Sequence, residues 1–396
     1  MANGRNEKPG TLVRRAALRE GVSRAVVTPI QPSVVYASPS ISTLHDQYEG
    51  RAHGYTYARE GHPNAELLAR KIDMLEEAEG GLVLGSGMAA VSATIMGLLG
   101  QGDHIVGGNQ LYGRSLRLMH QDLARFGIAT SVADPTDVEA MRAAIRPETK
   151  MILVEVISNP TLRVADMAGI VALAKEAGVI LAVDNTFTTP IGYKPLTEGA
   201  DITIQSVTKL LAGHSDVTLG YVAARDPELM RNIYDFAVTV GMTPAPNECW
   251  LAERGLYTFP LRFEKAQANA AALADWLADH PKVGRVLYPG RADHPDHEVA
   301  ASIVGQAFGN MVSFELKDKT EPAADRMVQA APDLPFAPTL GDVGTTLSHP
   351  ASSSHRGLGA EGRAALGISD GFFRVSVGIE EIELLIADFE GGLRAV

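Results

Sequence analysis

Residues 179–209 read VILAVDNTFTTPIGYKPLTEGADITIQSVTK, and this stretch decides the fold. It holds two short apolar runs, Val179–Val183 and Ile202–Gln205, which have the length and composition of strands buried on both faces. A polar segment follows each run at once, Asp184–Asn185–Thr186 after the first and Ser206–Val207–Thr208–Lys209 after the second. In an open α/β sheet, ligands bind beyond the carboxyl ends of the strands, so these two segments are the first candidates for a functional site.

The same alternation of strand and helix extends from this stretch toward the N-terminus. Strand-like apolar runs are Gly81–Leu84, His104–Val106, Ile128–Val132 and Met151–Val156, and helical segments are Ala65–Ala78, a helix ending at Leu99, Ser115–Phe126, Val138–Ile145 and Ile170–Ala177. Such alternation predicts βαβ units, and therefore an α/β fold with a mostly parallel sheet and helices on both faces.

Changes in composition divide the chain into three predicted parts. Residues 1–60 are rich in Pro, Ser and Tyr with little periodicity, which predicts an N-terminal arm that packs on another surface. Residues 61–256 hold the large domain, and residues 257–396 a smaller α/β domain. The elements predicted in the smaller domain are a helix over Phe263–Asp279, strands over Gly284–Leu287 and Met311–Leu316, and a helix over Ile382–Leu393.

Composition excludes several classes of protein. The 396 residues contain no run of ~18 apolar residues, so we expect no membrane span, and the first 20 residues lack the apolar stretch of a secretory signal. A formal net charge of -12 argues against a nucleic-acid surface. With one cysteine, Cys249, no intramolecular disulfide can form, and we expect a reducing, cytoplasmic location.

Polar residues at several strand ends together match the requirements of pyridoxal 5′-phosphate (PLP). Lys209 follows one strand, Asp184 a second, Asn159 a third, and the turn Ser86–Gly87–Met88 a fourth. PLP needs a lysine to form an imine, an acid beside its pyridine nitrogen, and backbone N–H groups at a helix N-terminus for its phosphate. Each residue alone has an ordinary explanation, as a surface lysine, a helix cap or a tight turn. Their joint order favours the cofactor site.

Two further motifs suggest other chemistry and are set aside. Gly85–Ser86–Gly87–Met88–Ala89–Ala90 matches the dinucleotide pattern G-x-G-x-x-A, but the next strand runs into Gly107–Gly108–Asn109 rather than into the acid that would hold a ribose. His294–Pro295–Asp296–His297 could suggest metal ligands, but it lies in a loop without a nearby cysteine, and we expect no metal site.

These residues resemble the Cys/Met-metabolism (trans-sulfuration) PLP enzymes, a family that includes cystathionine γ-lyases, cystathionine γ-synthases and methionine γ-lyases. The resemblance runs from about Val27 to the C-terminus. The stretches that carry it are Ser86–Met88, Val183–Thr186, Ser206–Lys209 with Gly213–Asp216, and Leu340–Asp342 with Ser348–Pro350. It implies fold type I of the PLP-dependent transferases, PLP as cofactor, an amino-acid substrate and a homotetramer built from active dimers.

The resemblance also implies roles for single residues. Lys209 resembles the Schiff-base lysine and the base that removes the substrate Cα proton, and Asp184 the acid on the pyridine nitrogen. The other implied cofactor ligands are the phosphate holders Gly87, Met88, Ser206 and Thr208, the phenolic-oxygen neighbour Asn159, the ring-stacking and catalytic Tyr112, and the pair Tyr57 and Arg59, which would reach a neighbouring subunit's phosphate. On the substrate side, Arg374 resembles the carboxylate-binding arginine, and Thr339 the residue that steadies the lysine.

The distal end of the substrate pocket departs from the family pattern and leaves the reaction open. Methionine γ-lyases usually carry a cysteine where Arg114 stands, whereas Arg117 matches an arginine of enzymes that handle cystathionine. The segment Val343–Gly344–Thr345 lacks a glutamate that the γ-branch often has. The first expectation is γ-elimination on a sulfur-containing or homoserine-derived amino acid such as cystathionine, giving 2-oxobutyrate. The alternatives are γ-replacement on an acylated homoserine, cystathionine β-elimination, a γ-lyase on canavanine, or a non-catalytic relative.

Overall fold

Apolar runs of the N-terminal half form a seven-stranded sheet in the computed structural model, which describes residues 22–396. The strands are β1 (Leu82–Leu84), β2 (His104–Gly108), β3 (Ala129–Ala133), β4 (Thr149–Glu155), β5 (Ile180–Asp184), β6 (Ile202–Gln205) and β7 (Gly220–Ala224). Their order across the sheet is β1-β7-β6-β5-β4-β2-β3. The inner strands β2, β6 and β7 are buried along their whole length, as their apolar composition requires.

The predicted α/β architecture with a mostly parallel sheet is confirmed. Strands β2 to β6 pair in parallel. The strand β7, absent from the sequence prediction, runs antiparallel to both β6 and β1. Because neighbouring antiparallel strands need no helical crossover, the chain returns from β6 to β7 through a loop, and that loop carries Lys209.

Helices cover this sheet and begin at recognisable caps. They are α1 (Ile41–Tyr48), α2 (Pro63–Glu76), α3 (Gly87–Leu98), α4 (Gly113–Arg117), α5 (Val138–Ala144), α6 (Met167–Ala177), α7 (Thr189–Gly192), α8 (Pro227–Val240) and α9 (Pro246–Leu256). Ser86 caps α3 by accepting a hydrogen bond from the Ala89 amide, and Asp166 caps α6 through the Gly169 amide. The segment Ser115–Phe126, predicted to be helical, is helical throughout but is not one regular α-helix. A π turn (Leu118–Asp122) and a 3₁₀ turn (Leu123–Phe126) follow α4, and Gly127 ends the segment in a left-handed conformation.

The C-terminal part of the chain holds a second sheet. Its strands are β8 (Val283–Leu287), β9 (Met311–Leu316), β10 (Thr346–Ser348) and β11 (Phe372–Ser376), in the antiparallel order β10-β11-β9-β8. Around it lie α10 (Phe259–Asp279), α11 (His297–Val304), α12 (Glu321–Gln329), α13 (Gly359–Ala365), α14 (Ile382–Leu393) and two 3₁₀ turns (Pro350–Ser352 and Arg356–Leu358). The helix α10 starts four residues earlier than predicted, because Pro260 suits the first turn of a helix.

The predicted domain limits at residues 60 and 256 stay predictions. Gln31–Val396 form one compact unit, which contains both sheets. Part of the predicted arm lies outside the described residues; within it, α1 and an isolated bridge between Val35 and Tyr57 are formed. From residue 22 onward, the chain contains no helix with the length and apolar character needed to span a membrane.

Candidate functional site

A cavity of about 210 Å³ opens at the carboxyl ends of β4, β5 and β6. It brings together ten of the predicted site residues: Gly87, Met88, Tyr112, Asn159, Asp184, Ser206, Thr208, Lys209, Thr339 and Arg374. Residues that the sequence argument did not assign also line it, namely Ser86, Val91, Ser115, Glu155, Thr186, Phe187, Thr218, Pro338 and Leu340. Both sheets contribute, since Arg374 comes from β11.

Asp184 ends β5 and is held by the residue two positions later. The Thr186 amide and hydroxyl both donate to Asp184 Oδ1, at 3.1 and 2.6 Å. Burial raises the pKa of Asp184, and the two Thr186 hydrogen bonds oppose that rise. The Thr186 hydroxyl also accepts from the Ser206 amide at 2.9 Å, which ties the end of β5 to the end of β6. The acid and the lysine loop are thereby fixed to each other.

Lys209 leaves β6 on a short turn and points into the cavity. Its amide donates to the Ser206 carbonyl at 3.0 Å, and its Nζ donates to Thr339 Oγ1 at 3.4 Å. The Thr208 hydroxyl exchanges hydrogen bonds with the Leu219 backbone, at 3.1 and 2.9 Å, and this closes the loop between β6 and β7. Burial, and then the positive charge of Arg374, lower the pKa of Lys209. A lysine held this way is more readily neutral and nucleophilic than one in water.

The turn before α3 leaves room for an anionic group. A Cβ atom at Gly87 would lie 2.7 Å from Ser206 Oγ, so only glycine allows the first turn of α3 to approach the Ser206 loop. The amides at the start of this 12-residue helix lie at the cavity beside two hydroxyl-bearing residues, Ser206 and Thr208. Helix N-terminal amides and hydroxyls are suited to binding a phosphate.

Arg374 is buried without a carboxylate partner in the described part of the chain. Its two terminal nitrogens donate to Asn159 Oδ1 and to the Thr339 carbonyl, each at 2.8 Å. Its buried Nε has no hydrogen-bond partner among residues 22–396. Burial lowers the pKa of Arg374 to about 10. A guanidinium with a spare buried donor and neutral acceptors is ready to bind an anion.

Glu155, the last residue of β4, is the main site residue that sequence reasoning missed. It is buried, and its Oε1 accepts a hydrogen bond from the Tyr112 amide at 2.7 Å. The missed signal was a charged residue inside the apolar run Met151–Val156, where an unpaired carboxylate is costly and therefore informative.

Four predicted site residues do not line this cavity. Tyr57 and Arg59 lie in the N-terminal segment, both exposed, with the Arg59 guanidinium 5.3 Å from the centre of the Tyr57 ring. Arg114 and Arg117 are exposed residues of α4. Their proposed roles stay predictions.

The His294 motif is structural. The buried His294 accepts a hydrogen bond from the Asp296 amide, and Asp296 pairs with Arg163 at 2.6 Å. In residues 22–396, no group of three or more His, Cys, Asp or Glu residues is arranged to hold a metal ion.

The residues of the cavity fit PLP. The glycine-lined helix start suits a phosphate, Asp184 suits a pyridine nitrogen, and Lys209 is an amine of lowered pKa. Among the described residues that line the cavity, Lys209 is the single lysine and Arg374 the single arginine. When bound there, PLP withdraws electrons from an attached amino acid and acidifies its C–H bonds.

Comparison with known proteins agrees with this chemistry. The family described as Cys/Met metabolism PLP-dependent enzyme matches residues 10–394. The chain is 40% identical to a cystathionine β-lyase of Bacillus subtilis (strain 168) over 385 residues, 97% of this chain and 96% of that protein. It is 39% identical to a cystathionine γ-lyase of the same organism over 356 residues, 90% of this chain and 93% of that protein.

Solved structures give the same answer. The crystal structure of a cystathionine γ-synthase from Xanthomonas oryzae pv. oryzae in complex with cystathionine is similar, with a TM-score of 0.88 and 38% identity. The match covers 94% of this chain and 93% of that one. This chain therefore belongs to the family of Cys/Met-metabolism PLP-dependent enzymes.

Proposed function

We propose that this enzyme catalyses γ-elimination on a sulfur-containing or homoserine-derived amino acid, with cystathionine as the first substrate to test. The observation that supports the proposal is that Lys209, an amine of lowered pKa, and Arg374 line the same cavity. Arg374 offers a spare donor to an α-carboxylate, and Lys209 offers an amine to the α-carbon beside it. Together they suit an α-amino acid and no simpler amine or acid.

The cofactor is held, in this proposal, by residues of four strand ends. Gly87, Met88, Ser206 and Thr208 bind the phosphate, and Asp184 carries the negative charge that pairs with the pyridine nitrogen. Asn159 would hold the phenolic oxygen, and its Oδ1 accepts a hydrogen bond from Arg374 at 2.8 Å. Tyr112, which lines the cavity, would stack on the ring.

In this proposal, Lys209 and Tyr112 move the protons. Among its described residues, Lys209 is the only amine and Tyr112 the only phenol. With PLP bound, the neutral Lys209 would take the proton from Cα, return it to the cofactor-bound substrate, and so be neutral again to take one from Cβ; Thr339 Oγ1 would hold its Nζ during these transfers. Tyr112 donates a proton to the departing heteroatom on Cγ. Loss from Cβ would use the same groups and give β-elimination.

A panel of substrates tests the reaction. We expect cystathionine and water to give cysteine, 2-oxobutyrate and ammonia, identified by mass spectrometry. Homocysteine and pyruvate as the main products would replace the proposal with β-elimination. Methionine, O-succinylhomoserine and canavanine complete the panel. A strict requirement for an added thiol would support γ-replacement, the reaction named for the Xanthomonas relative.

Substitution of Lys209 tests the assignment of the base. Lys209→Ala should lose both turnover and the visible absorbance near ~420 nm that borohydride removes from the unmodified enzyme, because the cofactor chemistry is visible in the spectrum. The matched control is Lys150→Ala, since Lys150 is exposed on β4 and is not among the residues that line the cavity. Full activity in Lys209→Ala would refute the assignment.

We also propose a homotetramer, in the cytoplasm, whose sites are shared between subunits. Tyr57 and Arg59 are exposed and do not reach the cavity of their own chain, which supports their binding a neighbour's phosphate. Mixing inactive Arg59→Ala with inactive Lys209→Ala protein should restore some activity, because hybrid dimers contain one intact site. No recovery after verified subunit exchange would exclude a shared site.

A further inference from the structure

Glu155 is a cavity residue whose second carboxyl oxygen is unused. Its Oε1 accepts from the Tyr112 amide at 2.7 Å, whereas its Oε2 is buried without a hydrogen-bond partner in the described chain. The residue is 9% exposed and lines the cavity. A buried carboxyl oxygen without a donor is costly unless a bound molecule or a proton satisfies it.

The neighbour of Glu155 across the sheet is Asp184. The two residues are partners in the parallel register of β4 and β5, so their side chains leave the same face of strands about 4.8 Å apart. Both line the cavity. Two carboxylates this close, away from water, cannot both keep a full negative charge.

Hydrogen bonds decide which of the two keeps its proton. Asp184 accepts two from Thr186, and Glu155 accepts one from Tyr112. Burial, followed by the charge of Asp184, raises the pKa of Glu155 well above its ordinary value. The positive charge of Arg374 opposes this rise, but its terminal nitrogens are already bound to Asn159 and the Thr339 carbonyl. The two Thr186 hydrogen bonds therefore favour the charge on Asp184 over Glu155.

The contact with Tyr112 matters because it holds the amide side of that residue, whereas the carbonyl side accepts from the Leu116 amide at 3.0 Å. Tyr112 precedes α4 as its N-terminal capping residue without a side-chain cap, and it is 42% exposed. Immediately after it, Gly113 lies so near the Ser354 carbonyl that a Cβ atom would be 2.4 Å from that oxygen. The Glu155 hydrogen bond thus sets the backbone from which the Tyr112 ring projects over the cavity.

We propose that Glu155 is a positioning residue that remains a neutral acid, fixing Tyr112 through Oε1 and donating a hydrogen bond from Oε2 to the molecule in the cavity. The inference rests on the proposed function of this site. A neutral Glu155 leaves Asp184 as the single anion beside the pyridine nitrogen, and it lets Arg374 keep its spare donor for the substrate.

Three variants test this inference. Glu155→Gln keeps an acceptor for the Tyr112 amide and a donor toward the cavity, whereas Glu155→Ala removes both. We expect Glu155→Ala to weaken PLP binding about tenfold and to raise KM for the amino acid, and Glu155→Gln to recover most of both losses. The matched control is Glu315→Gln. Glu315 is also a buried glutamate on a strand, but it pairs with Lys319 at 2.7 Å, and its pKa is lowered. That variant should lose stability and leave PLP affinity unchanged.

A spectroscopic measurement covers the case in which Glu155→Ala does not fold. The unmodified holoenzyme should show, at neutral pH, an infrared carbonyl band of a protonated carboxyl group that Glu155→Gln lacks and that Glu76→Gln keeps, so that it is distinguished from the band of the buried Glu76. Absence of that band in the unmodified enzyme would overturn the proposal, as would Glu155→Gln losing as much PLP affinity as Glu155→Ala. Wild-type PLP affinity in Glu155→Ala would overturn it too. If the unmodified enzyme binds PLP but eliminates nothing, the proposed reaction fails while these measurements still test Glu155.

Discussion

Two buried arginines, Arg262 and Arg374, flank the lysine loop and use their guanidinium groups in opposite ways. Arg262, in α10, donates to the carbonyls of Leu210, Leu211 and Gly255 at 2.9, 3.0 and 3.0 Å and to the Thr258 hydroxyl at 3.2 Å. Arg374 donates to two neutral oxygens and keeps its Nε free of any partner in the described chain.

The two arginines are buried to nearly the same extent, so burial alone does not distinguish a structural arginine from a ligand-binding one. Arg262 is 7% and Arg374 5% exposed, and burial lowers the pKa of each to about 10. The difference lies in hydrogen-bond satisfaction. All three guanidinium nitrogens of Arg262 donate hydrogen bonds within the chain, and two of them bind the backbone just after Lys209. Arg262 therefore stabilises the fold. Arg374 lines the cavity and retains a buried donor without a partner in the described chain, which favours a ligand-binding role.

The largest expected effect is on catalysis by Arg374→Ala. Losing the buried charged contact to the substrate carboxylate should lower kcat/KM about 10³-fold while PLP absorbance stays near that of the unmodified enzyme. The unfolding midpoint should fall less than in Arg262→Ala, because Arg374 makes only two hydrogen bonds within the described chain, to Asn159 and to the Thr339 carbonyl. Steady-state kinetics with cystathionine measures this. Arg285→Ala, at a half-exposed arginine of β8, is the control. A loss of kcat/KM smaller than tenfold would contradict a substrate-binding role for Arg374.

The second expected effect is on stability, by Arg262→Ala. The buried carbonyls of Leu210 and Leu211 would lose their guanidinium donor, which we expect to cost about 4 kcal/mol in the free energy of unfolding. Urea denaturation of the holoenzyme measures it, with Arg262→Lys expected to recover a part. An unchanged unfolding midpoint together with lost turnover would mean that Arg262 contributes to catalysis rather than to stability, and would contradict the proposed difference from Arg374.

Glu76, a fully buried carboxylate of α2, extends the comparison to an acid. Its Oε1 accepts from Gln205 Nε2 at 2.6 Å and from Asn185 Nδ2 at 3.4 Å, and burial raises its pKa from 4.5 to about 7. The folded state therefore binds this proton more tightly than the unfolded state. Stability is lost as pH rises from about 4.5 through about 7, and the loss amounts to about 3 kcal/mol above that range.

Glu76→Gln should remove this pH dependence. It keeps the accepting oxygen and needs no proton, so it should be more stable than the unmodified enzyme at about pH 8.5 and similar to it at about pH 5. Thermal melts at both pH values measure the difference. If the variant is less stable at the higher pH, the carboxylate is ionised and favourable there.

The smallest expected effect belongs to the exposed arginines Arg114 and Arg117. Water screens both exposed side chains, so each contributes about 1 kcal/mol at most. Each Ala variant should therefore lower kcat/KM for cystathionine and O-succinylhomoserine by about fivefold at most, and should leave kcat/KM for methionine and canavanine unchanged. Rates for the four substrates measure the selectivity. Equal losses on all four would remove these residues from the distal pocket.

Much of the site followed from the sequence because parallel strands end at a common edge. Asp184 and Lys209 each follow an apolar run, and that local pattern was enough to predict that they converge. Glu155 was missed because its significance depends on lying beside Asp184, and strand register between distant segments is invisible in a single sequence.

The fold shows the same limit. The antiparallel β7 was not predicted, since its five residues Gly220–Ala224 are mostly small and apolar without alternation. The segment predicted as helical over Ser115–Phe126 is helical, but its pitch changes from α to π and then to 3₁₀ after α4, and local periodicity does not distinguish these forms.

Gly341 has a consequence for how this enzyme can diversify. It adopts φ +81°, and a Cβ atom there would lie 2.5 Å from the Leu210 amide nitrogen and 2.7 Å from the Lys209 carbonyl carbon. The segment that carries Thr339 thus touches the backbone of the lysine itself. Loop exchange or random mutagenesis between residues 339 and 345 can alter substrate preference only in variants that retain this glycine. Gly341 is therefore a fixed point around which specificity can evolve, and a library that spares it should yield far more active clones than one that does not.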